Sequence, residues 1–210
     1  MAITLMPGGV LADGRGAPEL PESGRGSRGF PRFVVGSLDA GGQVWEPEGV
    51  DLEAVDFALA AFREEGIWQL QEIPEIAMAS AGAVADALRR LPGDGGALGL
   101  IAVDEDFFLL VRVAGPSTRM LLSDITAGDE WELARSALEF LGLPHTEHDE
   151  DEEQVPAGDL DIVGDLGMNA MDMGVLLDDY DLYPDEMLSA VSKRLGFGHL
   201  FDPAVGISPA

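Results

Sequence analysis

The chain contains no cysteine, and that absence excludes disulfides, thiolate zinc sites, iron–sulfur clusters and a cysteine nucleophile together. Positive charge is scarce too. Twelve basic residues, with Lys193 the only lysine, face 39 acidic ones, for a formal net charge of -27. A field of that sign repels phosphate backbones, because affinity for nucleic acid comes mainly from Lys and Arg displacing counterions. Direct binding of RNA or DNA is therefore not expected. A basic protein surface is the natural complement, since opposite potentials speed encounter and fix register. Solubility alone is the other use of such acidity. Histidine is limited to three residues, two in a charged stretch and one near the C-terminus, so no Ser–His–Asp set can be assembled. Apolar runs such as Ala97–Val103 fall far short of the ~18 residues that span a bilayer. The stretch from Met1 to Gly9 carries neither the basic nor the long apolar segment of a signal peptide. A soluble, cytoplasmic protein is expected, with no membrane partner, and 46% hydrophobic residues suffice for a sizeable core.

What the chain does have is unevenly distributed. Residues 1–50 are rich in Gly, Pro, Ser and Arg and show neither strand nor helix periodicity, which reads as a disordered tail. From Ala54 the texture changes. Val55, Phe57, Leu59 and Ala61 alternate with polar or small residues, Glu64-Glu65-Gly66 makes a turn, and 67–71 resumes as the second strand of a hairpin. Ser80 is placed to cap a helix that runs to Leu91 and ends at Pro92 and the glycines Gly93, Gly95 and Gly96. Strands at 97–103, 107–113 and 118–122 follow. The first of them is almost wholly apolar, as expected of a central strand covered on both faces. Asp129, with Glu132 three residues on, suggests a capping box for a helix over 130–141. The order ββαβββα implies an α+β domain, 51–143, with one antiparallel sheet flanked by helices, an order shared with roadblock, longin and profilin-like folds.

Residues 144–158 read as an acidic linker, with six acids among the seven residues 147–153. Residues 159–205 read as an acidic helical hairpin, with helices at 168–177 and 185–195, and 206–210 as a short tail. Pro184 suits the first turn of the second helix, Asp185 and Glu186 its positive end, and Lys193 and Arg194 its negative end.

Candidate chemistry is thin. Asp159-Leu160-Asp161-Ile162-Val163-Gly164 imitates the opening of a calcium loop, but Val163 and Ala170 stand where oxygen ligands are required. His145, His148 and the acid run lie on a linker that cannot preorganise a metal. Asp104, Glu105 and Asp106 belong to a solvated turn, and Asp124 is either a strand-end functional residue or a turn former. Gly93-Asp94-Gly95-Gly96 lies after a helix and before a strand, the reverse of a phosphate loop. No catalytic residue, cofactor or metal site is expected. Phe57, Trp68, Phe107, Phe108, Trp131 and Phe140 have core-like spacing, and His199 is read as packing or capping. Tyr180 and Tyr183 differ, because they fall in a loop among Asp178, Asp179, Asp181 and Asp185. Aromatic anchors ringed by carboxylates suit recognition of a basic partner, and these six residues are the candidate partner-binding set. Packing of both tyrosines against the main domain is the competing reading.

Several segments together resemble the actinobacterial family of tRNA adenosine deaminase-associated proteins. They include Val55-Asp56-Phe57-Ala58-Leu59, Leu91-Pro92-Gly93-Asp94-Gly95-Gly96, Asp104-Glu105-Asp106-Phe107-Phe108 and Leu121-Leu122-Ser123-Asp124-Ile125-Thr126. In the C-terminal part come Pro156-Ala157-Gly158-Asp159-Leu160-Asp161 and Asp181-Leu182-Tyr183-Pro184-Asp185-Glu186. The resemblance spans about 51 to 205, leaves out the first fifty residues, and carries over no catalytic residue. The deaminase's own signature, H-x-E with P-C-x-x-C, is absent. The resemblance implies a non-catalytic accessory or regulatory protein whose basic partner is a tRNA adenosine deaminase. Two other readings stay open: a roadblock-like homodimeric adaptor for another partner, and an enzyme that uses aspartates and a metal.

Overall fold

The computed structural model describes residues 54–143 and 154–207, all within one compact unit, Pro47–Ala210. The tail 1–50 and the acid run with His145 and His148 lie outside the described residues. Strands β1 (Val55–Glu64) and β2 (Ile67–Glu72) form the expected hairpin. Its turn residues Glu65 and Gly66 both have positive φ (51° and 79°), the backbone that matches the right-handed twist of a tight hairpin. Helix α1 (Ala81–Leu88) starts where Ser80 Oγ accepts the Ala83 N–H at 3.1 Å. Strands β3 (Ala97–Val103), β4 (Phe107–Ala114) and β5 (Ser117–Leu122) follow, then helix α2 (Glu132–Leu141). A two-residue strand, β6 (Ala157–Gly158), adds to the edge at β5 from within the stretch read as linker. The sheet is antiparallel throughout, in the order β2-β1-β3-β4-β5-β6.

Every residue of β3 is buried, and so is all of β4 except its last. Alternation sends successive side chains to opposite faces, so a strand covered on both sides reads as a continuous apolar run. On one face Ile101, Phe107, Leu109 and Val111 pack with Leu88 of α1 and Leu138 of α2. On the other, Leu98, Leu100, Phe108 and Leu110 pack with three more helices, α3 (Ala170–Leu177), α4 (Pro184–Leu195) and α5 (Gly198–Val205). Each fully buried Leu or Phe contributes roughly 1.5–3 kcal/mol. The architecture is α+β, a six-stranded sheet between two helical layers. Among the described residues no helix is long and apolar enough to cross a membrane.

Four local expectations change. Asp129 is the C-cap of a 3-10 turn, Thr126–Gly128, and Trp131 is the N-cap of α2. Phe140 is 45% exposed rather than core, because the buried stripe of α2 is Leu133, Ala134, Ala137 and Leu138. His199 is exposed on α5. The hairpin of α3 and α4 is followed by α5, which packs Phe201 edge-on against Phe57, with ring centres 5.4 Å apart. At the strand entry Gly96 has φ +90°, and a Cβ there would lie 1.8 Å from the Val113 carbonyl oxygen, so only glycine lets β3 meet β4.

Candidate functional site

The six partner-binding candidates occupy the end of α3, the loop after it and the first turn of α4. Asp178 is the C-cap of α3, so its carboxylate stands at the negative end of that helix. Asp179 Oδ1 accepts the Asp181 N–H at 3.3 Å, tightening the loop. Glu186 Oε2 reaches back to the Tyr183 N–H at 3.1 Å and Asp185 Oδ1 accepts the Glu186 N–H at 2.8 Å, so α4 starts with its first donors satisfied. Proline at the first helical position adds to this. Held this way, Tyr180 and Tyr183 are 68% and 56% exposed. Both line a cleft of about 160 Å³ whose other wall carries Glu105, Asp106 and Asp124. None of Asp178, Asp179, Asp181 and Asp185 pairs with a cation among the described residues.

The far wall is built at the opposite end of the strands from the β1–β2 turn. Asp104 and Glu105 bend the chain from β3 to β4 with left-handed backbones, φ 48° and 57°, unusual for residues other than glycine. Asp106 Oδ2 accepts the indole N–H of Trp131 at 2.7 Å, which ties the turn to the α2 side of the sheet. Asp124 is buried and accepts both the N–H and the hydroxyl of Thr126, at 2.9 and 2.7 Å. It serves the turn after β5. Its oxygens are satisfied there.

The calcium-like stretch has another use. Arg112, on β4, donates to the Ile162 carbonyl at 2.9 Å and grips Asp165 with both ends of its guanidinium, one contact measuring 2.6 Å. Arg119 on β5 donates to Asp159 Oδ2 at 3.1 Å and to the Ile162 carbonyl at 2.9 Å. Asp161 Oδ1 accepts the Ala170 N–H at the start of α3. The aspartates thus bind arginines and backbone, fastening the segment that leads into α3 onto the sheet. Hydrogen bonds from Arg112 hold the Asp165 carboxyl below the usual carboxylate range, outweighing the opposing effect of burial, with smaller help from the charges of Arg112 and Arg119. A Cβ at Gly164 would lie 2.2 Å from Asp161 Oδ1, so a larger residue there would have to displace that carboxylate from the Ala170 N–H. Arg112 was passed over at the level of sequence, although it is the one charge in the run Phe107-Phe108-Leu109-Leu110-Val111-Arg112-Val113. Its partner, 53 positions away, was not legible.

Residues 56–198 match the family described as Rv3753c-like tRNA adenosine deaminase-associated protein. The chain is 38% identical to "Protein Rv3753c" of Mycobacterium tuberculosis (strain ATCC 25618 / H37Rv) over 142 residues, covering 67% of this chain and 82% of that protein. No solved structure matches. The matched region takes in β1 to α4, including the Tyr180–Tyr183 loop and the arginine-held segment, and the chain belongs to the Rv3753c-like tRNA adenosine deaminase-associated protein family.

Proposed function

We propose that this protein is a non-catalytic accessory subunit that binds the tRNA adenosine deaminase of its own cell through the surface around Tyr180 and Tyr183. One observation carries the reading: two tyrosines more than half exposed stand among four aspartates that have no cationic partner among the described residues. An enzyme that acts on tRNA needs a basic face for its substrate, and a carboxylate surface with aromatic anchors complements such a face. Occupying it places the accessory protein in competition with tRNA. The family description supports association with the deaminase.

The test is co-purification of the two proteins across a salt series, with deaminase assays at each point. Association is expected to be tight at low salt and to weaken steeply as salt rises. Tyr180→Ala together with Tyr183→Ala is expected to lower affinity about thirtyfold, the effect of losing ~2 kcal/mol at an interface anchor. No association at low salt, or an unchanged editing rate with the accessory protein in excess, overturns the proposal. The adaptor reading has its own observation, since β2 lies at the edge of the sheet and contains neither proline nor lysine to blunt pairing with a second copy. Light scattering of the purified chain decides it: a dimer that Gln69→Lys with Gln71→Lys dissolves favours the adaptor, and a monomer removes it.

A further inference from the structure

A second cleft, of about 400 Å³, opens between the β1–β2 turn, the entry to β3 and the arginine-held segment. It shares no lining residue with the tyrosine cleft and sits at the other end of β3 and β4. Its size suits a small organic molecule. Ala61, Leu98, Leu166 and Trp68 supply apolar wall, and Arg63 and Arg112 supply charge.

The two arginines differ. Arg112 is already matched by Asp165. Arg63 lies with its guanidinium carbon 4.3 Å from the centre of the Trp68 ring, and its Nε is shut off from solvent without a hydrogen-bond partner. No carboxylate pairs with it among the described residues. In a chain with 39 acidic residues, acceptors are not in short supply, yet this donor lacks one. An unsatisfied buried donor is disfavoured, and such groups in native proteins call for an explanation. Trp68 is itself fixed, with its indole N–H on the Leu195 carbonyl at 3.2 Å and its ring 4.7 Å from that of Phe197. A guanidinium stacked on a fixed ring is preorganised, and with Nε shut off it is the two terminal nitrogens, which hold no hydrogen-bond partner among the described residues, that can meet a planar two-oxygen acceptor.

We propose that this cleft binds the carboxylate of a small acid with an apolar body, and that Arg63 is its anchor. A monoanion is favoured over a phosphate dianion because Asp94 and Asp165 line the same space and repel added negative charge. The apolar walls then take the rest of the molecule. A free acid and the C-terminus of a polypeptide offer the same chemistry. The inference stands apart from the deaminase reading, since neither uses the other's residues.

Magnetic-resonance titration of the isotope-labelled full chain tests it, following the Trp68 indole N–H and the Gly95 and Gly96 amides. Benzoate is the probe, benzamide its neutral counterpart, and a short apolar peptide is used as free acid and as amide. Benzoate is expected to give saturating shifts with a Kd on the order of 1 mM, as suits so small a ligand. Benzamide should bind at least about tenfold more weakly, a loss typical of a missing charge-assisted pair. Arg63→Met should abolish saturation with little change in melting temperature, because the loss of the stacking contact on Trp68 is set against removal of a buried donor that had no partner. Arg63→Lys, which keeps the charge but not the fork, should bind between the two, and it decides the matter if the methionine variant is unstable. Binding of the free-acid peptide assigns the source to a chain terminus, and binding of benzoate alone assigns it to a free acid. The proposal falls if neither saturates, if benzamide matches benzoate, or if benzoate binding survives both Arg63 substitutions.

Discussion

At the scale of single residues, the Arg112–Asp165 pair shows how a charge is accommodated in an apolar strand. Arg112 is 7% exposed, so its guanidinium needs acceptors, and the Ile162 carbonyl and Asp165 provide them. Asp165 keeps a side chain that is 62% exposed, so solvent screens part of the interaction. Asp165→Asn is therefore expected to lower stability at neutral pH by about 1–2 kcal/mol, less than loss of a fully buried pair. The sign with pH follows from the lowered carboxyl. Stability from such a group is complete above the unfolded-state value, here 3.8, and disappears as pH falls through the lower folded-state value. Urea unfolding at pH 7 and at stepwise lower pH should show the wild type and Asp165→Asn converging only below about 3.8. A constant gap down to strongly acidic pH would show that the pair does not titrate as described.

Among the secondary-structure elements, what was legible and what was not have separate physical causes. Signals carried by neighbouring residues read well: the Glu65-Gly66 turn, Ser80 as a cap, the unbroken apolar run of β3, and Pro184 opening α4. Elements defined by distant contacts did not. Helix α5 follows a C-cap glycine, begins at another glycine and contains Pro203, so local propensity argues against it. Burial overrides propensity there, because Phe197 and Phe201 are fully buried against the sheet face that also holds Phe57 and Trp68. Strand β6 is too short for any pattern and is set by pairing with Leu121 and Leu122. The tyrosine–aspartate loop was visible as a composition, but the Glu105–Asp106 wall opposite it needed the fold. The packing of α5 carries a prediction. Phe201→Ala is expected to destabilise by about 3–5 kcal/mol, the range for emptying a buried aromatic site. Hydrogen exchange in β1 and β2 should rise with it, since Phe201 bridges to Phe57. A change below about 1 kcal/mol would mean that α5 is peripheral to the core.

Over the whole molecule, a net charge of -27 works against a compact fold. Like charges on a compact body repel, so each unpaired carboxylate weakens the fold slightly unless a local contact offsets it. Local contacts exist for several: Asp159 and Asp165 hold arginines, and Asp202 is paired with Lys193 at 3.0 Å. For Asp178 and Asp181 they do not. Asp178 stands at the C-terminal end of α3, where a negative charge meets the negative end of the dipole, and neither side chain takes part in a hydrogen bond or ion pair among the described residues. If these two carboxylates served only the fold, replacing them would harm it. Their placement leads to the opposite expectation. Asp178→Asn with Asp181→Asn should leave stability unchanged or raise it by up to about 1 kcal/mol, and the gain should shrink in high salt. The same double variant should slow association with the deaminase and flatten its salt dependence, because edge charges act mainly through the encounter rate. Thermal melts at low and high salt, with stopped-flow binding on the same samples, read both effects. Greater stability with slower binding identifies the acidity of this surface as kept for a partner. Lower stability with unchanged binding would return it to the fold.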